Sequence, residues 1–175
     1  NASQLASQEV NRFCQEKGPI TSGRDLAKAI NRANDAVYKR AKENEELSGM
    51  GTTLVCTVCT PERIYCMNVG DSRMYSADAD SITRVTKDHS YVQYLVDSGA
   101  ISKEEAENHP QKNIITRAIG TQESVEGEFF VLESANKGKY IMLCSDGLTN
   151  FVKEDVIHEI LISDNSDDEK IKKLV

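Results

Sequence analysis

Thr53-Leu54-Val55-Cys56-Thr57-Val58-Cys59-Thr60-Pro61-Glu62-Arg63-Ile64-Tyr65-Cys66-Met67-Asn68-Val69-Gly70-Asp71-Ser72-Arg73 is the stretch on which the fold turns. Residues 53–59 and 64–69 are apolar and β-branched, and a four-residue break holding Pro61 separates them. That pattern predicts an antiparallel hairpin. A third strand over 73–76 and a fourth over 81–85 follow, divided by a turn at 78–80. Upstream of Gly49-Met50-Gly51 the period is helical. Leu5, Ala6, Val10, Phe13 and Cys14 mark one helix over 3–16. Leu26, Ile30, Ala33, Val37 and Ala41 mark a long amphipathic helix over 25–46, with Thr21 or Ser22 available as its cap.

Downstream, residues 90–98 and 103–108 read as short helices, the second opened by a capping box between Ser102 and Glu105. Residues 129–132 and 140–144 read as a further pair of strands around Asn136-Lys137-Gly138. Residues 153–162 return to helical spacing, 163–170 read as an acidic linker, and 171–175 as the start of another helix. Helices segregated from antiparallel strands predict an α+β fold and not an alternating βαβ chain.

The 175 residues carry 21 Lys and Arg against 28 Asp and Glu, a net charge of −7. Such a surface repels phosphate backbones and anionic lipid, which disfavours nucleic acid or a membrane surface as partner. No apolar run approaches the ~20 residues of a membrane span. Five cysteines leave an odd one, so the expectation is free thiols in a reducing cytoplasm. Cys56 and Cys59 have the spacing of a metal or redox pair, but three positions along a strand point to opposite faces.

Three acidic turns end or follow apolar strands: Gly70-Asp71-Ser72, Lys87-Asp88-His89 and Ser145-Asp146-Gly147. Singly, each is accounted for as a turn capping its own backbone. Converging at one sheet rim, they would form an oxygen-rich site suited to hard cations such as Mg²⁺ or Mn²⁺ and to phosphate-ester hydrolysis. His89 is open to two readings, a general acid or a local backbone brace, and the brace is the commoner role for a His in such a turn. His158, in the last helical pattern, is expected at the surface. Arg73 and Arg117 are expected to pair with carboxylates and not to clamp phosphate.

The motifs stand in a definite order. Gly49-Met50-Gly51-Thr52-Thr53, Asn68-Val69-Gly70-Asp71-Ser72-Arg73 and Thr86-Lys87-Asp88-His89-Ser90 come first. Then follow His109-Pro110 with Asn113-Ile114-Ile115-Thr116-Arg117-Ala118-Ile119-Gly120, and finally Leu143-Cys144-Ser145-Asp146-Gly147-Leu148-Thr149. The series, over roughly residues 3–162, resembles the metal-dependent protein serine/threonine phosphatases of the type 2C family in their compact bacterial form.

That resemblance implies a four-layer α-β-β-α sandwich, two antiparallel sheets flanked by helices, with a metal cluster at one end. It implies two Mn²⁺ or Mg²⁺ ions and a third more weakly held. Asp146 matches the family's ligand of the metal pair whose bridging water attacks phosphorus. Asp71 matches the ligand of the third metal. Gly147, Asn150 and His89 stand beside these positions, Asn150 where some relatives carry a further metal-binding Asp. The stretch from about 90 to 110, with Ser90, Gly99 and His109, matches the family's mobile flap; its Gly99 hinge and few large apolar anchors agree with that.

The family's Asp-Gly/Gly-Gly-His motif, its phosphate-binding Arg and its closing Asp-Asn find no counterpart in these residues. The resemblance therefore predicts a single domain over 1–175, incomplete at both ends and weak or inactive alone. The parent would be a cytoplasmic, monomeric phosphatase acting on phosphoserine and phosphothreonine in proteins and counteracting a serine/threonine protein kinase. Two competing expectations are a catalytically dead phosphatase-like module that binds phosphoproteins or a kinase, and an unrelated acidic binding domain.

Overall fold

The computed structural model describes residues 1–133 and 140–175. Helix α1 (Ala2–Lys17) is opened by Asn1, whose side chain accepts from the Gln4 N–H. Helix α2 (Gly23–Glu43) is opened by Ser22 through the Asp25 N–H, and a short 3₁₀ turn (Glu45–Leu47) follows. Strands β1 (Leu54–Cys59), β2 (Arg63–Val69), β3 (Arg73–Ala77) and β4 (Ile82–Arg84) come next. After them stand α3 (Tyr91–Asp97), α4 (Lys103–Glu107), β5 (Glu128–Glu133), β6 (Tyr140–Cys144), α5 (Asp146–Thr149), α6 (Glu154–Ile162) and α7 (Asp167–Leu174).

The strands form two antiparallel three-stranded sheets, ordered β1-β2-β5 and β4-β3-β6. Alternation along each strand sends successive side chains to opposite faces. Ile64 and Cys66 of β2 therefore meet Met74 of β3, with Phe130 and Ile141, in a core between the sheets. Met67 and Val69 face the other way, onto Leu26, Ile30, Ala33 and Val37 of α2 and Ala6 of α1. Behind the second sheet, Ala77, Ile82 and Met142 pack on Ile157 and Leu161 of α6. The result is the expected order of layers: helix, sheet, sheet, helix. Among the described residues no helix is long and apolar enough to cross a membrane.

Two sequence expectations change. Strands β5 and β6 do not pair with each other: β5 pairs with β2 (Met67 opposite Phe129) and β6 with β3 (Tyr75 opposite Met142). Each strand buries one face of its own sheet, and local alternation carries no information about which neighbour it takes. The Asn136-Lys137-Gly138 turn lies outside the described residues. The acidic stretch 163–170 is not all linker, because Ser166 and Glu169 form a capping box that starts α7. Asp167, Asp168 and Glu169 occupy its first turn, where the helix dipole favours negative charge. Cys56 lies in the core under α1 while Cys59 is exposed at the strand end; all five thiols are free.

Candidate functional site

The register between β3 and β6 places the two key carboxylates. Arg73 lies opposite Cys144 in an antiparallel pair. Asp71 is two residues before Arg73 and Asp146 two residues after Cys144, so both emerge at the same rim of the sheet. Asp71 sits in the β2–β3 turn and is half-buried; Asp146 opens α5 and is exposed. Burial first, and then the charges of Asp146 and Asp88, hold the Asp71 pKa above the ordinary carboxylate range. Two carboxylates that repel each other at one rim are a hard, oxygen-only donor pair, the chemistry that suits Mg²⁺ or Mn²⁺. Among the described residues no group of three or more His, Cys, Asp or Glu side chains is set to hold a metal. The pair thus fits part of such a site.

Local sequence fixes both turns. Gly70 has φ +105°, and a Cβ there would come within 2.4 Å of the Thr53 side chain. Only glycine brings β2 this close to the residues entering β1. The Thr53 and Ser72 hydroxyls are bonded at 2.8 Å across the same junction. At the other turn, Asn150 donates its side-chain amide to the Asp146 carboxylate at 3.2 Å, and Gly147 leaves little room beside Ser145 Oγ. Asn150 therefore orients Asp146 directly.

His89 is bonded on both ring nitrogens. It is 7 % exposed. Its Nδ1 accepts from the Gly70 N–H at 3.2 Å, which leaves Nε2–H to donate to Glu128 at 3.2 Å. Its own N–H donates to the Gly70 carbonyl. Burial lowers its pKa despite the Glu128 bond, so the neutral ring is favoured. Nδ1 holds the turn that carries Asp71, and Nε2 ties the ring to Glu128 at the start of β5.

Arg73 pairs as expected. Its Nη2 lies 2.6 Å from Asp88, its Nε bonds the same carboxylate, and Nη1 reaches the Tyr75 hydroxyl at 3.3 Å. The fully buried Tyr75, whose pKa burial pushes up to about 12, donates onward to Glu154 at 2.9 Å. Sequence reasoning missed this chain. It ties Glu154 to β3 while the strand pairing holds Cys144 there, so both ends of the segment bearing Asp146 are anchored on β3. Arg117 differs from expectation. It is exposed, and its guanidinium bonds the Glu126 carbonyl at 3.4 Å, with no carboxylate partner among the described residues.

The flap residues hold their own segment. Ser90 caps α3 through the Gln93 N–H and is bridged to Ile115; Gly99, at φ +72°, ends that helix. His109 accepts from the Gln111 N–H and meets the Tyr91 ring edge-on. His158 bonds the Asp78 carbonyl on the far side of the second sheet. A second missed residue is Asn34 of α2, 1 % exposed. It donates to the Gln122 and Glu123 carbonyls and accepts from the Gly120 N–H, pinning the loop that leads to β5. A lone amide in the apolar stripe of α2 was the available signal.

A family model described as protein phosphatase 2C matches residues 1–166. The chain belongs to this family. It is 43% identical over 145 residues to the serine/threonine phosphatase stp of Listeria innocua, covering 83% of this chain and 57% of that protein. It thus spans little more than half the length of that curated relative. Among solved structures, serine/threonine phosphatase Stp1 of Staphylococcus aureus superposes with a TM-score of 0.90 at 36% identity. That match covers 98% of this chain and 68% of the other. The catalytic domain of serine/threonine protein phosphatase PstP, solved with two manganese ions, gives 0.83 at 30% identity, covering 99% and 71%. These phosphatase 2C structures share the two-sheet sandwich described above.

Proposed function

We propose that this chain is the central part of a metal-dependent protein phosphatase that hydrolyses phosphoserine and phosphothreonine in proteins. The observation that carries the reading is the convergence of Asp71 and Asp146 at one rim, close enough for Asp146 to raise the Asp71 pKa. The family match and the manganese-bound relative support it. Asp146 and Asp71 would hold Mn²⁺ or Mg²⁺, which when bound lowers the pKa of a water and offsets charge on phosphoryl oxygens. Asn150 orients the Asp146 carboxylate, and His89 with Gly70 fixes the Asp71 turn. The Arg73–Asp88 pair and the Tyr75–Glu154 bond hold the two turns at a fixed separation.

Two carboxylates hold a dication less firmly than the fuller oxygen sets such ions take, so the 175 residues alone bind it weakly and turn over slowly. The parent protein works in the cytoplasm as a monomer and opposes a serine/threonine kinase. Manganese-dependent hydrolysis of an aryl phosphate and of a phosphothreonine peptide tests the reading, using this chain and one extended at both ends. Turnover by the longer chain that vanishes in Asp146→Asn supports it. No turnover by the longer chain, together with retained phosphopeptide binding, would show a binding module instead.

A further inference from the structure

Beside His89 lies a cavity of about 770 Å³ between α2, the start of β5 and the flap helix α3. That is within the ~300–1,000 Å³ range of ligand pockets. Its floor is apolar, from Ile30, Met67, Val125 and Phe129. Its walls carry two cations, Lys87 and Arg117, and four carboxylates, Asp88, Asp97, Glu126 and Glu128. Lys87 is bonded to Asp97 at 2.7 Å and Asp88 to Arg73 at 2.6 Å. Among the described residues Arg117, Glu126 and Glu128 form no Lys or Arg ion pair, and Glu128 bonds the imidazole of His89. The wall therefore keeps an excess of negative charge above an apolar floor. A long apolar stem ending in a cation matches that combination.

The cavity also lies beside the turn that carries Asp71, with His89 between them. His89 lines it, and the same ring accepts from the N–H of Gly70, the residue before Asp71. A polypeptide with a phosphorylated side chain at the Asp71–Asp146 rim would pass its neighbouring residues along this wall. We infer that the cavity is a specificity pocket for an arginine or lysine side chain near the phosphorylated residue of the substrate polypeptide. The inference rests on the phosphatase reading for the placement of that residue. Glu126 is the carboxylate that meets the cation, and Met67, Val125 and Phe129 take its stem. Arg117 weakens the attraction and would itself be the seat of an acidic side chain if the preference ran the other way.

The test is fluorescence anisotropy, in Mn²⁺, of labelled peptides carrying a non-hydrolysable phosphonate in place of phosphothreonine, on this 175-residue chain, so that binding is read without turnover. The peptides are identical except for Arg, Ala or Glu at the positions flanking the phosphonate. The Arg peptide binds about fivefold tighter than the Ala peptide at low salt, the size expected of one partly exposed ion pair. The difference shrinks below about twofold in Glu126→Gln and at high salt, and widens in Arg117→Ala. Equal binding of the three peptides overturns the inference, as does no binding of the Arg peptide at about 1 mM. So does preference for the Glu peptide that Arg117→Ala abolishes. Aryl-phosphate hydrolysis by the extended chain is the independent arm. If it fails while the Arg preference survives, the phosphatase reading falls and the pocket stands. If hydrolysis succeeds without the preference, the pocket falls.

Discussion

Replacing Arg73 by Met leaves the Asp88 carboxylate in place with its main partner gone. The Asp88 side chain is only 9% exposed and that of Arg73 23%. Breaking a fully buried pair by removing one member costs about 3–5 kcal/mol, because the remaining charge stays desolvated. Two features reduce that here. The pair is partly open to water, and Arg84 stays 3.6 Å from Asp88. We expect about 2–3 kcal/mol, a fall of roughly 5–10 °C in melting temperature for a chain of this size. The double variant Arg73→Met with Asp88→Leu removes both charges and should lie within about 1 kcal/mol of the parent. Urea unfolding of the four proteins in one thermodynamic cycle gives the coupling. If the double variant loses as much as the two single losses added together, Arg73 and Asp88 are not coupled.

Further outcomes follow from other sites. Gly120→Ala puts a Cβ 2.1 Å from Val37 at φ +87°, and should cost about 2–4 kcal/mol by urea unfolding; a loss under about 1 kcal/mol would show that α2 yields. The lowered His89 pKa makes the folded state resist protonation, so stability is intact above the ordinary value of 6.5 and falls as pH drops below it. His89→Gln should flatten unfolding free energy between about pH 7 and pH 5, and an unchanged slope would assign it to other groups. Iodoacetamide at mildly alkaline pH should label Cys59 first, by mass spectrometry. Burial raises the thiol pKa of Cys56 to about 12 and of Cys66 and Cys144 to about 11.

Local pattern made the helices and the first hairpin readable. Leu26, Ile30 and Val37 share one face of α2, and Cys56 to Val69 alternate as strands must. The layers were expected from the ordered motifs, and the packing of Ile64 and Met74 shows them. The partner of β5 was not readable, because Phe130 and Leu132 would bury equally well in either sheet. The start of α7 was hidden because Asp167-Asp168-Glu169 looks the same in a linker as in a first helical turn. At the site, the turns holding Asp71 and Asp146 were legible from Gly70 and Gly147, while their proposed metal role came from the family resemblance. The bond from Asn150 could be anticipated at helical spacing. The links from His89 to Glu128 and from Tyr75 to Glu154 span 39 and 79 residues, and only the folded chain brings them together. Arg117 was expected to pair with a carboxylate, but the fold sets its guanidinium against the Glu126 carbonyl, a contact that local sequence does not reveal.

Asp71 and Asp146 are the proposed ligands of a divalent cation. Manganese binding followed by electron paramagnetic resonance, on this chain and on Asp71→Asn and Asp146→Asn, tests that role most directly. The unsubstituted 175-residue chain should bind manganese weakly, and either variant at least about tenfold more weakly still. The urea midpoint should stay or rise, since each variant removes one of two repelling charges. Manganese binding of equal strength in all three proteins would contradict that role.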